Sequence, residues 1–161
     1  MKASTHLEKI VVNVGLGRLS HEPNFEAKIL PEIEKEIALI TSQKPAKRPA
    51  KKSIAGFKIR EGDIVGLKIT LRQNRMEDFL NRLNNLVLPR VKDFRGLSLK
   101  NIDTNGNLNI GLKDQFIFPE INPNVSRFNF GLQITMVSKI SNREKMIDFY
   151  RSIGVPLKLN P

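Results

Sequence analysis

The sequence predicts an α+β fold whose largely antiparallel sheet carries helices packed on one face and leaves a polar face open. Three observations lead there. Apolar residues alternate at period two in four separate stretches. Three other stretches carry the i, i+3, i+4 spacing of amphipathic helices. The two kinds are intermixed without the regular alternation of a doubly wound parallel fold. At 161 residues, with no repeat, low-complexity segment or linker, residues 1–161 are expected to form one domain.

Each element has its own signal. Ile10, Val12 and Val14 alternate with Lys9, Val11 and Asn13, which reads as a strand ended by Gly15, Leu16 and Gly17. From Asn24 to Thr41, Leu30, Ile33, Ile37 and Ile40 line one helical face, and Pro31 either kinks the helix or starts its main part. Leu67, Ile69 and Leu71 share one strand face, and Lys68, Thr70 and Arg72 share the other. Met76, Phe79, Leu80, Leu83, Leu86 and Val87 mark a second helix stopped by Pro89, followed by a loop from Arg90 to Gly96. The Asn105-Gly106 pair signals a turn into a strand with Leu108, Ile110 and Leu112 on its apolar face. A further strand carries Leu132, Ile134 and Met136. Ser141 and Glu144 are spaced as a capping box for a last helix with Met146, Phe149, Tyr150 and Ile153 inward, closed by Gly154 and Pro156.

If the strands align, the open face presents Asn13, Lys68, Thr70, Arg72, Asn107, Asn109, Gln133 and Thr135. That face suits phosphates, 2′-hydroxyls and base edges, although a merely solvated sheet face has the same composition. It lacks the aromatic residues of an RNA-recognition-motif sheet. Lys plus Arg number 27 against 16 Asp plus Glu, giving a formal charge of +11. The first partner to consider is therefore a polyanion, and charge alone does not choose among RNA, DNA and anionic lipid. Lys44, Lys47, Arg48, Lys51, Lys52, Lys58 and Arg60 fall in one run without a carboxylate. Pro45 and Pro49 exclude a regular helix or central strand there, so a basic loop following a phosphate backbone is expected. Phe57, between Gly56 and Lys58, is placed to stack on a base if exposed.

Other functions find little support. There is no cysteine, which excludes disulfides, thiol catalysis and thiolate zinc sites. His6 and His21 stand in no metal-ligand spacing, and the Gly15-Leu16-Gly17 turn has Ser20 where a dinucleotide fingerprint needs a third glycine. No carboxylate pair is marked as acid and base, so no enzyme, metal or cofactor is expected. No stretch has the length of a membrane span and the start lacks a signal-peptide core, so the expectation is a cytoplasmic protein without a membrane partner.

Several ordered blocks are more specific. Lys9 to Gly17, Ile40 to Pro45, Ala50 to Arg60, Ile69 to Arg72, Arg75-Met76, Phe79-Leu80, Leu88 to Arg90, Asp93 to Leu97, Gly106-Asn107 and Phe118 to Ile121 resemble successive blocks of the bacterial-type large-subunit ribosomal protein five family. The resemblance runs from about Leu7 to Pro156. It implies a structural role in the large subunit, on a cytoplasmic or organellar ribosome, with 5S rRNA and large-subunit rRNA as partners. It carries 5S rRNA contacts onto Asn13, Gln43, Phe57 and Thr70. Lys44, Lys47, Lys51, Lys52, Lys68 and Arg72 are expected to add charge to that site. The resemblance also places the loop Ser53, Ile54, Ala55, Gly56, Lys58 and Arg60 near peptidyl-site tRNA. It further implies a bridge to small-subunit ribosomal protein thirteen. Family members usually carry a helical segment before the first strand, which here is expected almost at the start. Ser42, Gln73 and Asn105 also depart from the family's usual residues. A basic RNA chaperone outside the ribosome and an RNA-modifying enzyme are the competing readings, and co-sedimentation with large subunits separates the first of them.

Overall fold

The computed structural model describes residues 3–159. Five strands form one sheet: β1 (Leu7–Gly15), β2 (Ala46–Pro49), β3 (Ile64–Leu71), β4 (Leu108–Leu112) and β5 (Leu132–Ser138). Their order is β2-β3-β1-β5-β4, and every pairing is antiparallel. Three helices, α1 (Leu30–Thr41), α2 (Gln73–Arg82) and α3 (Arg143–Ser152), complete the α+β architecture that the sequence predicts.

Period two decides which side chains meet the helices. Register places Ile10 opposite Leu71 and Met136, and Val12 opposite Ile69 and Ile134. With Leu67, Leu108, Ile110 and Leu132 these side chains are buried in one core with Ile33, Ile37 and Ile40 of α1, Met76, Phe79 and Leu80 of α2, and Met146, Phe149 and Tyr150 of α3. Burying apolar area on this scale, at about 25 cal/mol per Å², is the main force holding helices to sheet.

Pro31 stands at the start of the main helix, in the first turn of α1. A wider turn, Phe25–Ile29, leads into α1, and a similar one, Leu83–Val87, continues α2 until Leu88–Arg90 closes around Pro89. One cap differs from expectation. Helix α3 begins at Arg143, so Asn142 takes the cap position and its carboxamide oxygen accepts from the Lys145 N–H at 3.0 Å. Ser141 lies one residue too early.

The turn before β4 is fixed from both sides. Asp103 Oδ1 accepts from the N–H groups of Asn105 and Asn107, both at 2.9 Å, and Asp103 Oδ2 from the Asn107 side chain. Burial raises this carboxyl, but those hydrogen bonds outweigh it and hold it below the usual carboxylate range. Gly106 has φ +81°, and a Cβ there would stand 2.6 Å from Met146 Cγ, so only glycine fits between turn and helix. The buried Tyr150 hydroxyl donates to the Gly106 carbonyl at 2.7 Å.

Candidate nucleic-acid interface

The outer sheet face is organised in rows. One row runs Ala46, Lys68, Asn13, Gln133, Gly111 across all five strands, and the next runs Thr70, Val11, Thr135, Asn109. The structure therefore brings the predicted Asn13, Lys68 and Thr70 together on the face away from the helices. Val11 is 8% exposed because Thr70 and Thr135 flank it.

These polar groups fall into two kinds. Thr135 donates to Asn109 at 2.8 Å, and Asn107 is occupied by Asp103 and by the Ser138 N–H. By contrast the side chains of Asn13, Lys68 and Gln133 have no hydrogen-bond or ion-pair partner among the described residues. Three adjacent unengaged groups, spaced by strand separations of about 4.8 Å, form a strip of donors and acceptors free for a ligand.

Gln43 reaches the edge of β3 from the loop after α1. Its Nε2 donates to the Thr70 carbonyl at 3.1 Å, and its Oε1 accepts from the Arg75 guanidinium at 3.0 Å. Gln43 is thus held against the edge of the row that carries Thr70. Arg72, just past β3, stands 3.1 Å from Glu8 Oε1, which also takes Lys9 at 3.2 Å. Hydrogen bonding to Lys9 and then to Arg72 holds the Glu8 carboxyl below its usual range. These ion pairs are exposed and weak, so both cations can turn to a stronger anion.

The basic run departs from the expected loop. Residues Ala46–Pro49 form the edge strand β2, exposed throughout, with Pro49 at its end where no ladder donor is required. Pairing alternates its side chains across the sheet. Arg48, opposite Gly66, shares the outer face, whereas Lys47, opposite Leu67, faces the helices and pairs with Glu34 of α1 at 3.4 Å. Lys47 is thus separated from the polar row, and Arg48 belongs with it. Lys44, Lys51 and Lys52 are exposed and, among the described residues, have no ion-pair partner.

The loop that begins at Ser53 and runs on to Gly62 holds a small internally bonded turn. Ile54 and Ile59 exchange backbone hydrogen bonds at 2.8 and 3.2 Å, Ser53 Oγ accepts from the Glu61 N–H, and Lys58 has φ 53° at the tip. This geometry leaves Phe57 68% exposed, with Ala55, Gly56, Lys58 and Arg60 also outward. Alongside lies a hollow of about 580 Å³ bordered by Phe57, Lys58, Arg18 and His21. The described residues hold no cluster of metal-ligating side chains, and none of the helices is long and apolar enough to cross a membrane.

Residues 3–60 match the family model described as Ribosomal protein L5, and residues 64–157 match the model for the C-terminus of the same ribosomal family. The chain is 45% identical over 152 residues to the large ribosomal subunit protein uL5 of Fusobacterium nucleatum subsp. nucleatum, covering 94% of this chain and 81% of that protein. It is 48% identical over 151 residues to the large ribosomal subunit protein uL5c of Gracilaria tenuistipitata var. liui, covering 93% and 82%. To the uL5 of Geotalea uraniireducens it is 47% identical over 152 residues, covering 94% and 83%.

Proposed function

Because the chain belongs to the ribosomal protein L5 family, whose members are non-enzymatic constituents of the large ribosomal subunit, we propose that its open sheet face binds 5S rRNA. The observation that carries this reading is the unengaged strip Lys68, Asn13 and Gln133, continued by Arg48 of the edge strand. Cations that neutralise phosphates release condensed counterions and supply affinity. Asn13, Thr70 and Gln133 supply hydrogen bonds to sugar and base edges, which fix register. Gln43 is held at the row's border, and the exposed Phe57 offers a face for base stacking.

The turn from Ser53 to Gly62 extends from the same end of the sheet and exposes Lys58 and Arg60. With the family resemblance, this supports contact with peptidyl-site tRNA. The resemblance alone supports the bridge to small-subunit ribosomal protein thirteen and assigns no residue to it. Titrating the protein with 5S rRNA and with an unrelated hairpin of equal length across a salt series tests the main reading. The 5S rRNA binds more tightly at every salt concentration, and both affinities fall as salt rises. Equal affinity for the two RNAs would refute specific recognition.

A further inference from the structure

At the end of the sheet where β1 stops and β3 begins lies a hollow of about 410 Å³. Asn13, Gln133 and Arg48 line it together with Gly15, Gly66 and Gly131 and the flanking aliphatic residues Val14, Leu67, Leu112 and Leu132. The hollow has no aromatic lining on which a base could stack. It offers two adjacent carboxamides, directly opposite each other on β1 and β5, each with a donor and an acceptor left unused. A guanidinium stands at its border. From this arrangement we infer that the hollow receives the sugar edge of an RNA strand, with Asn13 and Gln133 hydrogen-bonding ribose 2′-hydroxyls and Arg48 meeting a neighbouring phosphate.

The chemistry is specific to ribose. A 2′-hydroxyl both donates and accepts, matching a carboxamide on either polarity, and DNA lacks it. A deoxyribose edge seated here would cover both carboxamides and leave them unsatisfied. Three of the lining residues are glycines, and at Gly15 even a Cβ would meet no protein atom within 4 Å, which leaves room for a sugar beside the strand. Elsewhere on this face the Asn109 carboxamide oxygen already accepts from Thr135, so the carboxamides with neither end engaged are the two at this end. Gln133 becomes a recognition residue and Arg48 its electrostatic neighbour. The inference rests on the 5S rRNA reading and adds to it which part of the nucleotide is read, and by which residues.

The test uses the full chain, 5S rRNA carrying single 2′-deoxy substitutions at each position in turn, and DNA of the same sequence. For the parent, a few clustered deoxy positions each weaken binding about tenfold, as expected for one lost hydrogen bond to a covered polar group. Gln133→Ala weakens all-ribose 5S rRNA by a similar factor and no longer responds to deoxy substitution at one of those positions. Gly15→Ala is the steric counterpart. Its backbone is not left-handed, and a Cβ there meets no protein atom within 4 Å, so the fold accepts the methyl while the hollow is partly filled. That variant keeps the parent melting temperature and loses part of the preference for RNA over DNA. The inference is overturned if the parent prefers 5S rRNA yet tolerates every deoxy substitution, or if Gln133→Ala keeps all the sensitive positions. It is equally overturned if Gly15→Ala binds both nucleic acids like the parent. A parent with no preference for 5S rRNA over the control hairpin would instead remove the reading on which the inference rests.

Discussion

Lys47 and Arg48 are adjacent cations of one basic strand, yet the register sends them to opposite faces. Replacing each with alanine therefore separates face from charge. Arg48 on the outer face contributes one phosphate contact, so Arg48→Ala lowers the slope of log affinity against log salt by about 0.7 to 0.9. Between about 50 and 200 mM salt, that slope narrows the ratio of parent to variant affinity by about threefold. Lys47 is half exposed, but its partner Glu34 at 3.4 Å is largely buried, with the facing Oε1 shielded from solvent. Lys47→Ala leaves the salt slope of 5S rRNA binding unchanged and, by stranding that carboxylate oxygen, lowers unfolding stability by about 1 to 3 kcal/mol. Filter binding across a salt series measures the first quantity, and urea unfolding followed by circular dichroism measures the second. Equal flattening of the slope by both substitutions would show that the strand acts as undirected charge. Flattening by Lys47→Ala alone would show that the RNA lies on the helix side.

Two further outcomes follow from other parts of the molecule. Changing Lys58 and Arg60 together to alanine leaves thermal stability and 5S rRNA affinity nearly intact, because both side chains are exposed, while assembled ribosomes retain peptidyl-site tRNA less well. Loss of cooperative unfolding in that variant, or unchanged tRNA retention, would assign the turn to packing. Tyr150→Phe removes the hydroxyl that satisfies the Gly106 carbonyl and costs about 1 to 2 kcal/mol in urea unfolding, without a change in salt slope or RNA preference.

The sequence discloses those elements in which burial imposes a period. Ile10, Val12 and Val14 must face one way because one sheet face is covered, and Ile33, Ile37 and Ile40 must recur at helical spacing to meet them. The polar face is the complement of that pattern, so Asn13, Lys68, Thr70 and Gln133 are legible with it. Strand β2 leaves no such trace. It is exposed on both faces at the sheet edge, so no apolar alternation marks it, and its prolines suggest a loop. Without the strand, the alternation that separates Lys47 from Arg48 is invisible, and both read as equal parts of a charged run. The hydrogen bond from Gln43 to the Thr70 carbonyl joins residues 27 apart, and no local spacing announces it. The α3 cap differs by one position because Ser141 and Asn142 are both good caps, and only the place where the helix begins decides between them.

The absence of cysteine permits a direct map of the RNA-binding face. Single cysteines introduced as Arg48→Cys, Thr70→Cys and Gln133→Cys probe the outer face. Leu39→Cys and Leu86→Cys, at positions 59% and 49% exposed on and after the helices, probe the opposite side. The rate of maleimide modification is measured for each, with and without saturating 5S rRNA. With RNA on the outer sheet face, 5S rRNA slows modification at 48, 70 and 133 and leaves 39 and 86 at their free rates. Protection at 39 and 86 with undiminished modification at 70 and 133 would refute that placement and put the RNA on the helices.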